Sequence, residues 1–262
     1  MEDLIQRYSA SFPIFILIFF RVMGLFIISP IFSRQNIPTY WKILFSVFLS
    51  YILFSLQAYN TPLYIHNVVG LMFLIIKELF LGFIFGYITT VVFSAILLSG
   101  QLIDSQIGFG MVNILDPHNN IQVPLLGNFN NIIALLLFLI IDGHHQIVNL
   151  LVISFDMIPI GQVELTADIF HVLVIIFKKA FELAVTLSLP IIGAALITEG
   201  VLGLMTRSIP QINIFAIGIP LKIFIGLFTL FIFIPALIST LGHSFMDMLD
   251  DMKNIIEMMM SN

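Results

Sequence analysis

The sequence predicts an all-α integral membrane protein built from kinked, broken helical hairpins with about six hydrophobic segments. Three observations carry this expectation. Apolar residues make up 60% of the 262 positions and charged residues only 10%, with 27 Phe. The mean hydropathy is +1.11, far from the range of a soluble domain. Third, several of the few charges, Arg21, Lys77, Glu78, Lys178, Lys179, Glu182 and Lys222, lie inside or against apolar runs. Charges at membrane depth cost several kcal/mol unless paired or hydrated, so such residues face a protein interior or a water path. The pattern fits a subunit whose helices pack on each other as much as on lipid.

The elements follow in order. The start, Met1 to Arg7, lacks a basic n-region, so the first apolar run, Pro13 to Ser29, is expected to remain in the mature chain. Pro30 and Pro38 punctuate a short link, followed by Ile43 to Leu56 and a turn at Asn60-Thr61-Pro62. Val68 to Ile103 is one long apolar stretch interrupted by Lys77-Glu78. The segment Asp104 to Asn131 is rich in Gly, Asn and Gln. Ile132 to Ile141 is too short to span a bilayer alone and is expected to continue past Asp142-Gly143-His144-His145 into Ile147 to Phe155. Ile169 to Thr198 and Ile212 to Leu241 form a final pair, with Pro190, Pro220 and Pro235 inside them. These prolines are expected to bend the axes and free carbonyls that neighbouring helices must satisfy.

This organisation reads as one membrane domain over residues 1–262: a front helical unit over 1–160, a hairpin over 169–242, and an acidic amphipathic tail over 243–262. In the tail, Phe245, Leu249, Met252, Ile256 and Met259 recur at helical spacing, opposite a face holding Asp247, Asp250, Asp251, Lys253 and Glu257. An acidic face binds anionic lipid poorly, so a groove on a partner is the expected receptor for the stripe.

Function classes narrow by exclusion. Cysteine is absent, which removes disulfide and thiolate chemistry. The formal charge of −5 and the lack of a basic cluster give no nucleic-acid surface. No phosphate-binding loop, dinucleotide fingerprint or nucleophile elbow is present, so no enzyme and no cofactor is expected. Asp142, His144 and His145 are weak metal candidates, because adjacent histidines on a helix diverge and no further ligand motif accompanies them.

The candidate functional residues fall into three groups. Arg21, Lys77, Glu78, Glu199, Arg207 and Lys222 are candidate buried polar or inter-subunit groups. Lys77 and Glu78 point about 100° apart on a helix and need separate partners, whereas Lys178 and Glu182 can pair with each other. Gly82 and Gly86 form a GxxxG that permits close backbone approach, and Gly200 and Gly203, with Gly218 and Gly226, make similar notches. Ile107, Gly108, Phe109, Gly110, Met111 and Val112 combine backbone freedom with bulk, within a loop over about 105–115. An apolar loop of this kind can close a pore by excluding water; a surface turn or a re-entrant packing loop is the other reading.

Across nearly the whole chain the residues resemble the FliR/SctT family of export-gate subunits in flagellar and virulence type III secretion. The pieces are Arg21 with Gly24 and Pro30, Ile37-Pro38, Lys77-Glu78 with Gly82 and Gly86, and Gly100 through Asp104 to Gly108. Asp116-Pro117, Gly143-His144, Ser154 with Pro159, and Pro190 follow. The most specific piece runs from Arg207 to Phe215 and on through Gly218-Ile219-Pro220-Leu221-Lys222. The resemblance implies a non-enzymatic subunit in the bacterial inner membrane, at the flagellar basal body. It implies one copy assembled with FliP-like and FliQ-like subunits, with a FliP-like front part and a FliQ-like C-terminal hairpin. An FlhB-like switch protein, membrane lipid and exported flagellar proteins are the further implied partners. The loop near Gly108 to Val112 matches the position of the family's pore plug. The competing function is a secondary transporter of a small solute that uses Lys77, Glu78 and Lys222.

Overall fold

The computed structural model describes residues 2–30, 38–56, 67–109, 124–208 and 214–260. Its described residues form helices joined by turns, without a strand. In chain order the helices are α1 (Glu2–Ile28), α2 (Thr39–Leu56), α3 (Val68–Ile107), α4 (Leu125–Ile140), α5 (Gly143–Met157), α6 (Ala167–Ser208) and α7 (Ile214–Met260). The all-helical expectation holds. Among the described residues, α2, α3, α6 and α7 are long and apolar enough to cross a membrane, and α4 with α5 makes a fifth if the broken pair counts as one span. The apolar part of α1, Phe12–Ile28, is shorter than these.

The helices run on through Pro13, Pro190, Pro220 and Pro235. At a rise of about 1.5 Å per residue, the 40 residues of α3 extend about 60 Å, twice a bilayer's hydrocarbon thickness. The 42 residues of α6 and 47 of α7 are longer still, so part of each lies outside hydrocarbon. The expected helical tail forms the last turns of α7, which passes Gly242 unbroken.

The chain divides into two compact units. The first comprises Met1–Val91, Asp142–Ile176 and Asp247–Asn262. Its core takes Leu17, Ile18, Val22 and Leu25 from α1, Leu81, Phe85 and Ile88 from α3, and Ile147, Leu151 and Phe155 from α5. Spacings of three and four put the α3 and α5 sets each on one helical face, and the adjacent Leu17 and Ile18 widen the stripe on α1. The end of α7 adds Met248, Leu249, Met252, Ile255, Ile256 and Met259, all buried. This corrects the expectation that the tail's stripe awaits a partner: its apolar face is covered within the chain itself.

The second unit comprises Val92–Ile141 and Phe177–Met246. Phe93, Phe138 and Phe245, from α3, α4 and α7, form a buried ring cluster with centroid separations of 5.8, 5.5 and 5.1 Å. Phe138 packs edge-on against both Phe93 and Phe245, and the Phe93 and Phe245 rings are tilted by 33°.

Candidate functional site: a buried clasp and the end of α3

In the first unit, two glycines let α1 and α3 touch backbone to backbone. A Cβ on Gly24 would lie 2.6 Å from the Leu79 carbonyl oxygen and 2.9 Å from Cα of Gly82. A Cβ on Gly82 would collide with the Arg21 carbonyl oxygen, and one on Gly86 would lie 2.9 Å from Cβ of Ile28. The expected GxxxG role of Gly82 and Gly86 is thus an intrachain seam. Thr90 fastens its far end, donating its hydroxyl to the Ile28 carbonyl at 2.8 Å.

The close seam sets Arg21 against Glu78. The Arg21 Nε donates to Glu78 Oε2 at 2.6 Å, and both side chains are fully buried. The same guanidinium donates through Nη1 to the Ser154 carbonyl at 2.9 Å and hydroxyl at 3.3 Å, and through Nη2 to the Ile158 carbonyl at 3.2 Å. Those carbonyls belong to the C-terminal end of α5, where unpaired acceptors and the negative end of the helix dipole favour a cation. The ring of Phe155 covers the guanidinium at 4.2 Å. The second Glu78 oxygen accepts the Gly161 N–H at 2.8 Å, in a turn where Gly161 has φ 82°. The clasp therefore ties α1, α3, the end of α5 and the following turn with every charge answered.

Lys77, next in sequence to Glu78, takes no part. Its ammonium lies 5.3 Å from the centre of the Phe73 ring, and the residue is half-buried. The expected divergence of Lys77 from Glu78 holds. Lys178 and Glu182 pair at 3.6 Å across an exposed helical turn.

In the second unit the end of α3 is fixed by three contacts. Gly100 abuts Gly127 so closely that a Cβ on Gly100 would overlap the Gly127 backbone. One turn later, the buried Asp104 carboxylate accepts the Leu126 N–H at 3.1 Å on each oxygen and the Gly127 N–H at 3.4 Å. The residue before α4, Pro124, supplies no side-chain cap, so Asp104 caps α4 from across the unit. Ile107, the last residue of α3, is fully buried and fills the space that a side chain at Gly226 would need.

These contacts correct the expected loop at its start. Ile107 belongs to the helix and is anchored, because burial against Gly226 rewards one more turn. The chain leaves the helix at Gly108, with φ 98° and open space around it, a conformation glycine adopts without a Cβ penalty. Phe109 is half-buried. Gly110, Met111 and Val112 lie outside the described residues, as do Ile37, Asp116-Pro117 and the stretch 209–213.

Other candidates separate further. Lys222 and Glu199 form an ion pair of 2.9 Å, and Glu199 remains 62% exposed. Arg207 is exposed in the last turn of α6, where a cation suits the helix dipole. Neither Glu199 nor Arg207 is a buried polar residue of the chain. Gly200 and Gly203 have nothing within 4 Å of an added Cβ, unlike Gly226, so they form no close packing within the chain. Of the transporter residues, Glu78 and Lys222 are each held by a different partner.

The histidine pair differs from expectation too. α4 stops at Ile140 and α5 starts at Gly143; the residue with left-handed backbone is Asp142, φ 54°, not Gly143. The rings of His144 and His145 lie 4.1 Å apart rather than diverging, because they occupy the first turn after this break. The donor atoms of Asp142, His144 and His145 fall within 4.8 Å of one another. A 3.3 Å contact between Asp142 Oδ1 and His145 Nδ1, both strongly exposed, accounts for part of that approach.

Sequence reading missed the partnership of Arg21 with Glu78 and the capping role of Asp104. The available signal was opposite charges in two apolar helices, and an acid one turn beyond a glycine.

Comparison with known proteins places these residues in a family context. Residues 12–248 match the model of the family described as bacterial export proteins, family 1. The chain is 30% identical over 248 residues to the flagellar biosynthetic protein FliR of Bacillus subtilis, covering 94% of this chain and 95% of that protein. It is 30% identical over 240 residues to FliR of Aquifex aeolicus, covering 91% and 92%. For FliR of Escherichia coli the identity is 28% over 237 residues, covering 90% of each.

Proposed function

The chain belongs to the bacterial export proteins, family 1, and from that membership we propose that it is a non-enzymatic subunit of a flagellar protein-export gate in the bacterial inner membrane. The observation that carries this reading is the full-length match to flagellar biosynthetic proteins, at 94% of this chain and 95% of the Bacillus subtilis relative.

In this reading a single copy assembles with FliP-like and FliQ-like subunits at the flagellar basal body, next to an FlhB-like switch protein. The exposed apolar surface supports an assembled state. Leu196, Ile197, Val201 and Leu204 of α6, with Phe224, Phe228, Phe231 and Ile232 of α7, are all exposed. Leaving such area in water is costly, so lipid and neighbouring subunits must cover it. Gly200 and Gly203 lie on this surface of α6 with open space around them, which suits close approach of a partner helix.

The segment beginning at Gly108 serves as the pore plug. The anchored end of α3, held by Asp104 and Ile107, supplies a fixed root, and Gly108 supplies the hinge. An apolar plug on such a root excludes water at rest and swings aside for an unfolded flagellar substrate. The engagement of Glu78 and Lys222 in ion pairs disfavours the small-solute transporter.

Co-expression with FliP-like and FliQ-like subunits, followed by native mass measurement, tests the reading. One copy of this chain in a larger hetero-oligomer is the expected result. A stable monomer or homodimer in their presence would overturn it.

A further inference from the structure

Lys77 and Glu164 line one cavity of the first unit, of about 470 Å³, together with Met157, Gln162, Met259 and Met260. The two carry opposite charges but do not pair with each other, and neither has an ion-pair partner among the described residues. The nearest carboxylate in sequence, Glu78, is unavailable to Lys77, because its oxygens serve Arg21 and Gly161. The cavity thus presents one cation and one anion, neither ion-paired among the described residues, and soft thioether walls.

An apolar track leads away from it. Val69, Met72, Phe73 and Ile76 of α3 are all exposed, and their spacing puts them on one helical face. The Lys77 ammonium sits over the Phe73 ring, so the cation caps that face. From Val69 to Lys77 the helix rises about 12 Å. A lysine at the end of an apolar stripe is how a side chain keeps its charge at the polar boundary of a membrane.

We propose that this cavity binds the headgroup of a zwitterionic phospholipid with a primary ammonium, a phosphatidylethanolamine, whose acyl chains lie along Val69 to Ile76. Lys77 takes the phosphate and Glu164 takes the ammonium. The balance of charges selects the lipid. An anionic glycerol headgroup gives Lys77 its phosphate but offers Glu164 only neutral hydroxyls, so that carboxylate gains a hydrogen bond and no counter-charge. A choline headgroup carries the positive charge but has no N–H to donate to the carboxylate. A free phosphate lacks the chains that cover the exposed stripe.

The test is lipid retention by the full-length chain in a neutral detergent, read by native mass spectrometry. The probes are phosphatidylethanolamine, phosphatidylglycerol and phosphatidylcholine of matched acyl chains, with O-phosphoethanolamine as soluble competitor. The expected result is retention of phosphatidylethanolamine roughly tenfold better than either other lipid. Lys77→Gln removes most of that retention, Glu164→Gln narrows the preference over phosphatidylglycerol, and the exposed control Lys178→Gln changes neither. Met72→Asn, on the exposed track and away from the charges, weakens all three lipids together. Equal retention of the three lipids overturns the proposal, as does retention indifferent to Lys77→Gln in a chain that keeps its helical signal. Displacement by O-phosphoethanolamine at the lipid's own affinity overturns the part assigned to the acyl track.

Discussion

Arg21 and Glu78, 57 positions apart in the chain, meet in an ion pair of 2.6 Å with no exposed side-chain surface. A fully buried pair stabilises little relative to apolar residues of the same volume, but removing one partner strands the other charge. Glu78→Gln or Arg21→Gln should therefore lower stability by about 3–5 kcal/mol, seen as loss of monodisperse protein in thermal-shift chromatography. The double change Arg21→Met with Glu78→Leu should recover part of that loss. A double variant worse than the sum of the singles would count against the pairing.

Gly82 and Gly200 make contrasting tests of close packing. Gly82→Ala puts a methyl group into the Arg21 carbonyl, and backbone cannot yield cheaply. The expected outcome is a sharp fall in folded protein. Gly200→Ala meets open space and should leave the isolated chain's melting temperature unchanged. If Gly200 faces a partner helix in the assembly, the same change should reduce co-purification of FliP-like and FliQ-like subunits. Unchanged melting of Gly82→Ala would falsify the seam.

Asp104 caps α4 from α3, so Asp104→Ala should cost about 1 kcal/mol. Hydrogen exchange localises the effect. The amides of Leu126 and Gly127, which donate to this carboxylate, should lose protection before those in the middle of α4. Uniform loss along α4 would argue against a capping role.

Gly108 occupies a conformation with φ 98°. Gly108→Val should impose about 1–3 kcal/mol of local strain while leaving the rest of α3 intact, with flagellar export reduced more than protein level. Deleting residues 108–112 in an assembled complex should raise leakage of small solutes across the membrane. A complex that assembles normally and leaks no more than wild type would rule out the plug.

The end of α7 separates two roles of one helix. Met252 is fully buried and Asp250 is exposed. Met252→Asp should abolish folded protein, since an unpaired charge in that core costs several kcal/mol. Asp250→Lys should shift stability by no more than about 0.5 kcal/mol. Removal of residues 245–262 should therefore destabilise the chain itself before any partner is added, measured as expression of monodisperse protein without partner subunits.

Much of the architecture was legible in the residues. The charge-poor, Phe-rich composition implied helices with internally satisfied backbone, because no other open structure survives in lipid. Gly82 and Gly86 announced a close approach, and Lys77 and Glu78 announced different partners, since both follow from the geometry of a single helix. The misreadings share another cause. Helical spacing at Phe245 to Met259 shows that a face must be covered, and it is silent on what covers it. The same limit applies to Gly200 and Gly203, whose notches face nothing within the chain.

The sequence by itself determined the secondary structure class, the membrane character and the family, because these depend on local periodicity, composition and the order of short motifs. Only the tertiary structure decided the partners. Arg21 could have met any of several acids, and the backbone contact at Gly24 and Gly82 selected Glu78. Asp104 became a helix cap because the fold brought the Pro124 end of α4 to it. Pairing energies fall off within a few ångströms, and residues far apart in the chain come that close only through the packing of whole helices.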